Sequence, residues 1–166
     1  MATLLAAAFL AAGCGVSSPS SGGGGEDTAG PTPSWSTDYT DPSGNDYQAV
    51  GLFLQPQGNY LIVANVLSPS GDPLGVAVLL VDPAGSRIET TYLETTWRWR
   101  AMRARPQLAG GGLWIAGYSP AEGSLPVSPA LASVDGFGHH AWSFRYPGEE
   151  DAVAVDVAAV EQGGVL

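Results

Sequence analysis

The sequence predicts an all-β protein built from tandem four-stranded antiparallel units, and three observations point to it. The 23 glycines and 13 prolines supply the many chain reversals that short strands need. The apolar runs are short and rich in Val, Ile, Leu and Tyr, which favours strands over helices. Segments also recur at a spacing of about 53 residues. Residues 151–160 alone have a helix-compatible pattern, and their alternation favours a strand.

The repeat is visible in two independent pairs of segments. Residues 58–64 (GNYLIVA) match residues 111–117 (GGLWIAG) at an offset of 53, and residues 163–166 (GGVL) repeat the opening 52 positions further on. Residues 81–85 (VDPAG) match residues 134–138 (VDGFG), again at an offset of 53. Because the two offsets agree, the repeat is a property of the chain and not of one motif.

A third pair lies at the sum of the two offsets. Residues 45–50 (NDYQAV) align without gaps onto residues 150–155 (EDAVAV), 105 positions later. The middle copy has Trp99 where the others have Asp46 and Asp151, so a ligand role for this aspartate is not shared by all copies.

Each copy holds four predicted strands. In the first copy they are residues 46–54, 60–66, 76–81 and 87–93. Four strands at a period near 50 are the signature of a β-propeller blade. We place the copies at about 35–87, 88–141 and 142–166, the last one partial. A closed propeller needs at least four blades, so we predict an incomplete one, with two copies and part of a third.

The turns of the repeat carry Val-Asp-x-x-Gly, at Asp82 to Gly85 and at Asp135 to Gly138. We interpret them as structural turns, because an aspartate side chain caps its own backbone and glycine accepts a positive φ. The order of Trp, Asp-Tyr or Asp-Ala, Gly-Gly and Val-Asp-x-x-Gly resembles the tandem repeats of propeller-like lipoproteins of myxobacteria and their relatives. The resemblance covers residues 35–166 and implies a propeller-like domain at the cell envelope.

The first 13 residues predict a signal peptide. Residues 3–13 (TLLAAAFLAAG) are too short to span a bilayer but have the length of a signal-peptide core. Residues 10–14 (LAAGC) resemble the lipobox of bacterial lipoproteins. The resemblance implies cleavage after Gly13 and a diacylglyceryl thioether on Cys14. Gly15 after the cysteine resembles the sorting signal that favours the outer membrane over the inner one.

Residues 14–34 predict a flexible tether. Their Ser, Gly and Pro content leaves almost no bulky apolar side chain to stabilise an ordered backbone. Some 20 such residues span roughly 25 Å, enough to hold a domain clear of a bilayer. No apolar run of membrane-spanning length follows, so we predict attachment to the membrane through lipid alone.

The charge and the cysteine content exclude several kinds of partner. A net charge of −10 repels phosphate backbones, which argues against nucleic acid. One cysteine cannot form an intramolecular disulfide or a multi-thiolate metal site. We find no phosphate loop, nucleophile elbow or zinc-protease motif. We therefore predict no catalytic residue, no metal and no cofactor.

Four of the six arginines lie within residues 97–105 (WRWRAMRAR). We name Trp97, Arg98, Trp99 and Arg100 as a possible ligand surface, suited to an anionic glycan. The competing interpretation is an ordinary half-buried strand, with the tryptophans on one face and the arginines on the other.

The only histidines, His139 and His140, are adjacent and follow the second Asp-Gly turn. Neighbouring strand residues point to opposite faces, so the pair cannot easily hold one ion, and we interpret it as a solvated turn. We interpret the following acidic residues as solvated rim charges: Asp46, Glu149, Glu150, Asp151 and Asp156.

The sequence thus predicts an envelope-anchored lipoprotein with a non-enzymatic β-repeat domain that binds or scaffolds a protein or glycan partner. One alternative is a fragment of a larger propeller enzyme acting on glycans, with its catalytic residues in missing blades. Another is a truncated remnant without function.

Overall fold

The computed structural model describes residues 4–7, 36–39, 41–93, 95–108, 110–122, 125–148 and 151–158. These residues form strands and connections and contain no helix, which confirms the predicted all-β class. The strands are β1 (Leu4–Ala7), β2 (Ser36–Tyr39), β3 (Asp46–Leu54), β4 (Tyr60–Leu67), β5 (Pro73–Val81), β6 (Arg87–Tyr92), β7 (Arg100–Pro106), β8 (Leu113–Ser119), β9 (Ser128–Val134) and β10 (His140–Arg145).

Several predictions fall outside the described residues. They concern the cleavage site after Gly13, the acylated Cys14, the tether of residues 14–34 and the final repeat of residues 163–166. The described part of the predicted signal peptide is β1, which pairs antiparallel with β2. Across the described residues, no helix is long and apolar enough to cross a membrane.

Two antiparallel four-stranded sheets make up the body of the protein. The first sheet has the order β3-β4-β5-β6 and the second the order β7-β8-β9-β10, so chain neighbours are also sheet neighbours. This confirms four strands in the first copy, with β3 at the predicted bounds. The predicted boundaries between copies, at 87/88 and 141/142, fall within β6 and β10. The two sheets therefore do not coincide with the predicted copies.

The two sheets match in register as well as in strand order. The ladder between β3 and β4 skips Val50, and the ladder between β7 and β8 skips Met102 in the corresponding place. The last ladder of each sheet skips Ile88 in the first and Ala141 in the second, a separation equal to the offset of the sequence repeat. The spacing found in the sequence is therefore also a spacing of β-bulges.

The predicted Asp-Gly turns have the same hydrogen bonds in both sheets. Asp82 Oδ1 accepts the backbone N–H groups of Ala84 and Ser86 at 2.9 and 2.7 Å. Asp135 Oδ1 accepts those of Phe137 and His139 at 2.8 and 2.9 Å. The glycine that ends each turn has a φ of 86°. These turns are structural, as predicted.

The main core lies between the two sheets. Because side chains alternate across a strand, β4 and β5 turn Leu61, Val63 and Val78 towards the second sheet. Its strands β8 and β9 contribute Leu113 and Ile115, among other residues. A second cluster, which includes Tyr39 of β2, covers the outer face of the first sheet. Strands β4 and β5 are therefore buried on both faces, which explains their nearly unbroken apolar sequences.

A buried asparagine joins the two sheets. The side chain of Asn65 on β4 is 2% exposed. Its Nδ2 donates to the carbonyl of Ala101 at 3.0 Å, and its Oδ1 accepts the Ala101 N–H at 2.7 Å. A buried amide is stable only when its groups are paired. The double contact therefore fixes β7 at one position against the first sheet.

The strand favoured by the sequence for residues 151–160 is wrong for its described part, because residues 151–158 form no ladder. They instead run extended beside the second sheet, where Ala154 N–H donates to Gly117 O at 3.2 Å. Ala154 lies one repeat offset after Ala101, the residue that contacts Asn65. This stretch therefore occupies the place on the second sheet that β7 takes on the first, and no strand among the described residues forms a ladder with it.

Candidate binding surface

Within the described part of the chain, one face of the second sheet has no other sheet against it. Residues directly opposite in an antiparallel ladder point to the same face, so the register identifies its members. One row across the sheet consists of Arg105, Trp114, Ser133 and Trp142, and the next of Arg103, Ala116, Leu131 and Phe144. We call the surface formed by Arg103, Arg105, Trp114, Leu131, Trp142, Phe144 and Tyr146 the open face.

Aromatic side chains dominate the open face. Phe144 is 59% exposed, Tyr146 48% and Trp142 36%. The ring centroids of Trp114 and Trp142 lie 5.4 Å apart, as do those of Phe144 and Tyr146. The four rings therefore form two contacting pairs on the same face. A contiguous exposed apolar patch on a folded domain marks an interaction site, and aromatic residues are enriched at such sites.

The equivalent face of the first sheet shows what kind of surface can pack on the open face. Leu61 and Val78 lie one repeat offset before Trp114 and Leu131 and occupy the same sheet positions. They are buried because the second sheet packs on them. Trp114 and Leu131 remain partly exposed, because only residues 151–158 lie beside their own sheet. The open face is thus the position at which a further sheet would stack.

One edge of the open face carries charge. Arg105 donates to both carboxylate oxygens of Asp156, from Nε at 3.1 Å and from Nη2 at 2.8 Å. Arg103 Nε lies 3.7 Å from the same carboxylate. The hydrogen bonds from Arg105 hold the pKa of Asp156 at about 2 and raise that of the guanidinium. With two arginines and one aspartate, this edge is cationic in an otherwise acidic protein.

The structure does not bring the four residues of the sequence-predicted ligand surface together. Trp99 is fully buried in the core, so no ligand can reach it. Trp97 is half-buried and meets Trp99 edge-on at 5.8 Å. Arg98 is exposed, and Arg100 donates from Nη2 to Gln48 Oε1 at 2.6 Å.

Arg98 lines an open cleft of about 460 Å³. The cleft lies between the β4–β5 and β8–β9 loops, where Asp72 and Glu122 also line it. Two carboxylates beside one guanidinium compensate its charge and leave no surplus for an anionic ligand. The cleft is therefore a weaker candidate for a ligand site than the open face.

The histidines are separated, as expected for neighbouring residues. His139 is exposed in the turn, with Nδ1 3.2 Å from Asp135 Oδ2 and Nε2 3.6 Å from Glu89 Oε2. His140 begins β10 and is half-buried. No group of three or more metal-ligating side chains occurs in the portion that the structure describes.

The predicted rim carboxylates have separate surroundings. Asp151 is exposed and its Oδ1 accepts the Val127 N–H at 2.7 Å. Asp156 binds Arg105, and Asp46 begins β3. Glu149 and Glu150 lie outside the described residues.

Sequence reasoning missed a hydrogen-bonded chain at the edge of the first sheet. The hydroxyl of Tyr47 lies 2.8 Å from that of Tyr92, which donates to Asp41 Oδ1 at 2.8 Å. Burial acts to raise the pKa of Asp41, but hydrogen bonds from Tyr92 and from the backbone of Ser43 and Asn45 lower it. Burial raises the pKa of Tyr92, and its hydrogen bonds with Tyr47 and Asp41 raise it further. No local pattern could reveal the chain, since Asp41 and Tyr92 lie far apart in the sequence.

No family model matches this chain, and no curated protein is significantly similar to it. Function therefore follows from the fold and the open face.

Proposed function

We propose that this chain is an envelope lipoprotein, anchored through lipid on Cys14, whose β units form a non-catalytic binding or scaffolding domain. The open face is its binding surface. The single observation that carries the proposal is the cluster of exposed aromatics on a sheet face whose central counterpart in the first sheet, at Leu61 and Val78, is buried. Exposed apolar area of this kind favours association, since burying it releases roughly 25 cal/mol per Å².

We propose further that the units are propeller-like blades. Three features support this: each sheet follows chain order, the sheets stack face to face, and β3 lies against β7. The first strands of neighbouring units therefore approach one another, as the inner strands of a propeller do. The bulges that recur at matching places in the two sheets also fit a stack of like units.

The anchor can be tested with Cys14→Ser in a bacterial host that processes lipoproteins. We expect the unaltered chain to incorporate labelled palmitate and to sediment with membranes. The variant loses the label and moves to the soluble fraction, because a hydroxyl cannot replace the thiol in acylation. The matched control Ser17→Ala keeps both properties. An unlabelled, soluble parent chain would rule out the anchor.

The open face can be tested by site-specific crosslinking in the same cells. Since acylation occupies Cys14, a cysteine introduced by Phe144→Cys is the single free thiol for a photoreactive probe. The control Phe137→Cys lies at a similar exposure, 57%, in the Asp135 turn. We expect adducts from position 144 and not from position 137. Equal adducts from both, or none from either, would contradict this surface.

A further inference from the structure

We infer that the open face docks a β unit of a second protein built from the same repeat, and that the hydroxyl of Tyr146 donates to the glycine carbonyl of that unit's Val-Asp-x-x-Gly turn. The inference deepens the proposed function and rests on it, since it names the partner of the proposed binding surface. That partner is recognised by its turn and by the apolar sheet face beside the turn.

Two strands of the chain share a five-residue motif. Residues 35–39 (WSTDY) and 142–146 (WSFRY) have Trp, Ser and Tyr at the same three places. The first motif includes β2, and the second includes most of β10. Tyr39 and Tyr146 are therefore equivalent residues at the ends of equivalent strands.

The two tyrosines differ in what surrounds them. Tyr39 is 4% exposed and packs with Ile62 on the outer face of the first sheet. Its hydroxyl donates to the carbonyl of Gly85, which ends the Asp82 turn, at 2.8 Å. Tyr146 is 48% exposed. Tyr39 therefore shows the surroundings that a docked unit would give to Tyr146.

The position of Tyr146 fits this comparison. Its N–H donates to Pro129 O at 2.9 Å, which continues the ladder of β10, and its ring contacts that of Phe144 on the open face. In β6 the motif is absent, and the hydroxyl of Tyr92 instead lies against that of Tyr47 in its own sheet. The second sheet thus presents a hydrogen-bond donor that the first sheet does not use in stacking.

Stacking within the chain is head to tail. Leu61 of the first sheet and Leu113 of the second lie in the core between them. The face that receives Tyr39 carries Tyr60, which lies one repeat offset before Leu113. Each unit therefore presents the same kind of face to what precedes it, and the open face fits such a face. A second copy of this chain does not offer it uncovered, because its own Tyr39 occupies it.

The first test supplies a further unit of known sequence. An extended chain is built from residues 1–157 followed by a second copy of residues 105–158, with Cys14→Ser to prevent acylation. The junction keeps the offset of 53, because Val157 lies one offset after Ala104. These two residues are 3% and 5% exposed, so the junction falls at equivalent buried positions.

Access to the open face is measured through a single thiol. Tyr146→Cys is introduced at the first occurrence of this residue in the extended chain, and in the chain of natural length. We expect maleimide labelling to be slower by roughly tenfold or more in the extended chain, because buried thiols are inert. Phe137→Cys, in the Asp135 turn, should react equally fast in both. Equal labelling at position 146 in a folded extended chain would overturn the inference.

The hydrogen bond is tested by removing one hydroxyl. We expect Tyr146→Phe to lower the urea midpoint of the extended chain, as Tyr39→Phe lowers that of the chain of natural length, since each loses a donor to a turn carbonyl. In the chain of natural length, Tyr146→Phe should leave the midpoint unchanged. An unchanged midpoint in the extended chain would exclude the Tyr146 contact.

The natural partner is identified independently of the extended chain. In cells that naturally produce this protein, the Phe144→Cys adduct is digested and the crosslinked peptide is sequenced by mass spectrometry. We expect a peptide of another protein that contains Val-Asp-x-x-Gly between two apolar strands. A peptide without this turn, or a glycan, would overturn the inference and leave the proposed binding surface standing. The absence of any adduct from position 144 would overturn both.

Discussion

At the scale of single residues, the Asp-Gly turns do more than reverse the chain. Gly138 ends the turn between β9 and β10 with a positive φ and also touches the core of the first sheet. A Cβ at this position would lie 3.0 Å from Val78 Cγ1 and 3.1 Å from Leu61 Cδ2. One glycine thus combines a backbone requirement with close packing between sheets.

Gly138→Ala separates these two requirements when it is compared with Gly44→Ala. Gly44 has a similar φ of 78° but open space around it. We expect Gly44→Ala to cost about 1 kcal/mol for the left-handed backbone. Gly138→Ala should cost about 1 to 3 kcal/mol more, through crowding of the core. Urea denaturation of both variants measures the difference, and equal losses of stability would show that the core yields without cost.

At the scale of elements, the contact between β4 and β7 is polar within an apolar core. Asn65 satisfies both backbone groups of Ala101, and no part of this contact reaches solvent. Pairing of this kind adds little net stability but makes every other alignment of the sheets costly. Asn65 therefore contributes more to the correct alignment of the two sheets than to the net stability of the fold.

Replacing this residue should be costly. Asn65→Leu removes the partners of two buried backbone groups, each of which costs about 1 to 3 kcal/mol when unpaired. We expect a total loss of about 2 to 5 kcal/mol in the free energy of unfolding, measured by chemical denaturation. Asn59→Leu, in the β3–β4 turn, should lose much less. A loss of under about 1 kcal/mol at Asn65 would mean that water or a backbone shift replaces its hydrogen bonds.

Strands were predictable where local signals sufficed. Glycine and proline bound the runs that became β3 to β6, because turn chemistry is local. The strand favoured for residues 151–160 failed over 151–158, since a ladder needs a neighbour that no local pattern supplies. The sequence places Trp99 among arginines, which suggested a surface position, but its side chain is buried in the core. The open face brings together residues from β7 to β10, so it depends on a register that sequence alone does not specify.

At the scale of the whole molecule, shifted pKa values of carboxyl and tyrosine side chains make the stability of the fold depend on pH. The pKa values of Asp41, Asp135 and Asp156 are lowered, so the folded chain binds fewer protons than the unfolded chain just below the usual carboxyl range. Their stabilisation is complete above a pH of about 4 and is lost as the pH falls towards 2. The raised pKa values of Tyr39, Tyr47 and Tyr92 act oppositely, with stabilisation lost as the pH rises above 10.

Unfolding free energies measured from pH 2 to pH 6 should therefore rise with pH most steeply between 2 and 4. Asp41→Asn should flatten this slope, because the titrating carboxylate is gone. Tyr92→Phe should flatten it too, since it removes a hydrogen bond that favours the ionised aspartate. A slope equal to that of the parent chain in both variants would assign the acid sensitivity to other carboxylates.

The paired bulges bear on how the molecule originated. An extra residue in a strand turns every later side chain to the opposite side of the sheet, so it cannot be added without reworking a whole core. Val50 and Met102 interrupt their ladders at the same step, as do Ile88 and Ala141. The matching positions indicate that both units derive from one segment that already carried the two bulges, while side chains at equivalent places have diverged, as Leu61 and Trp114 do.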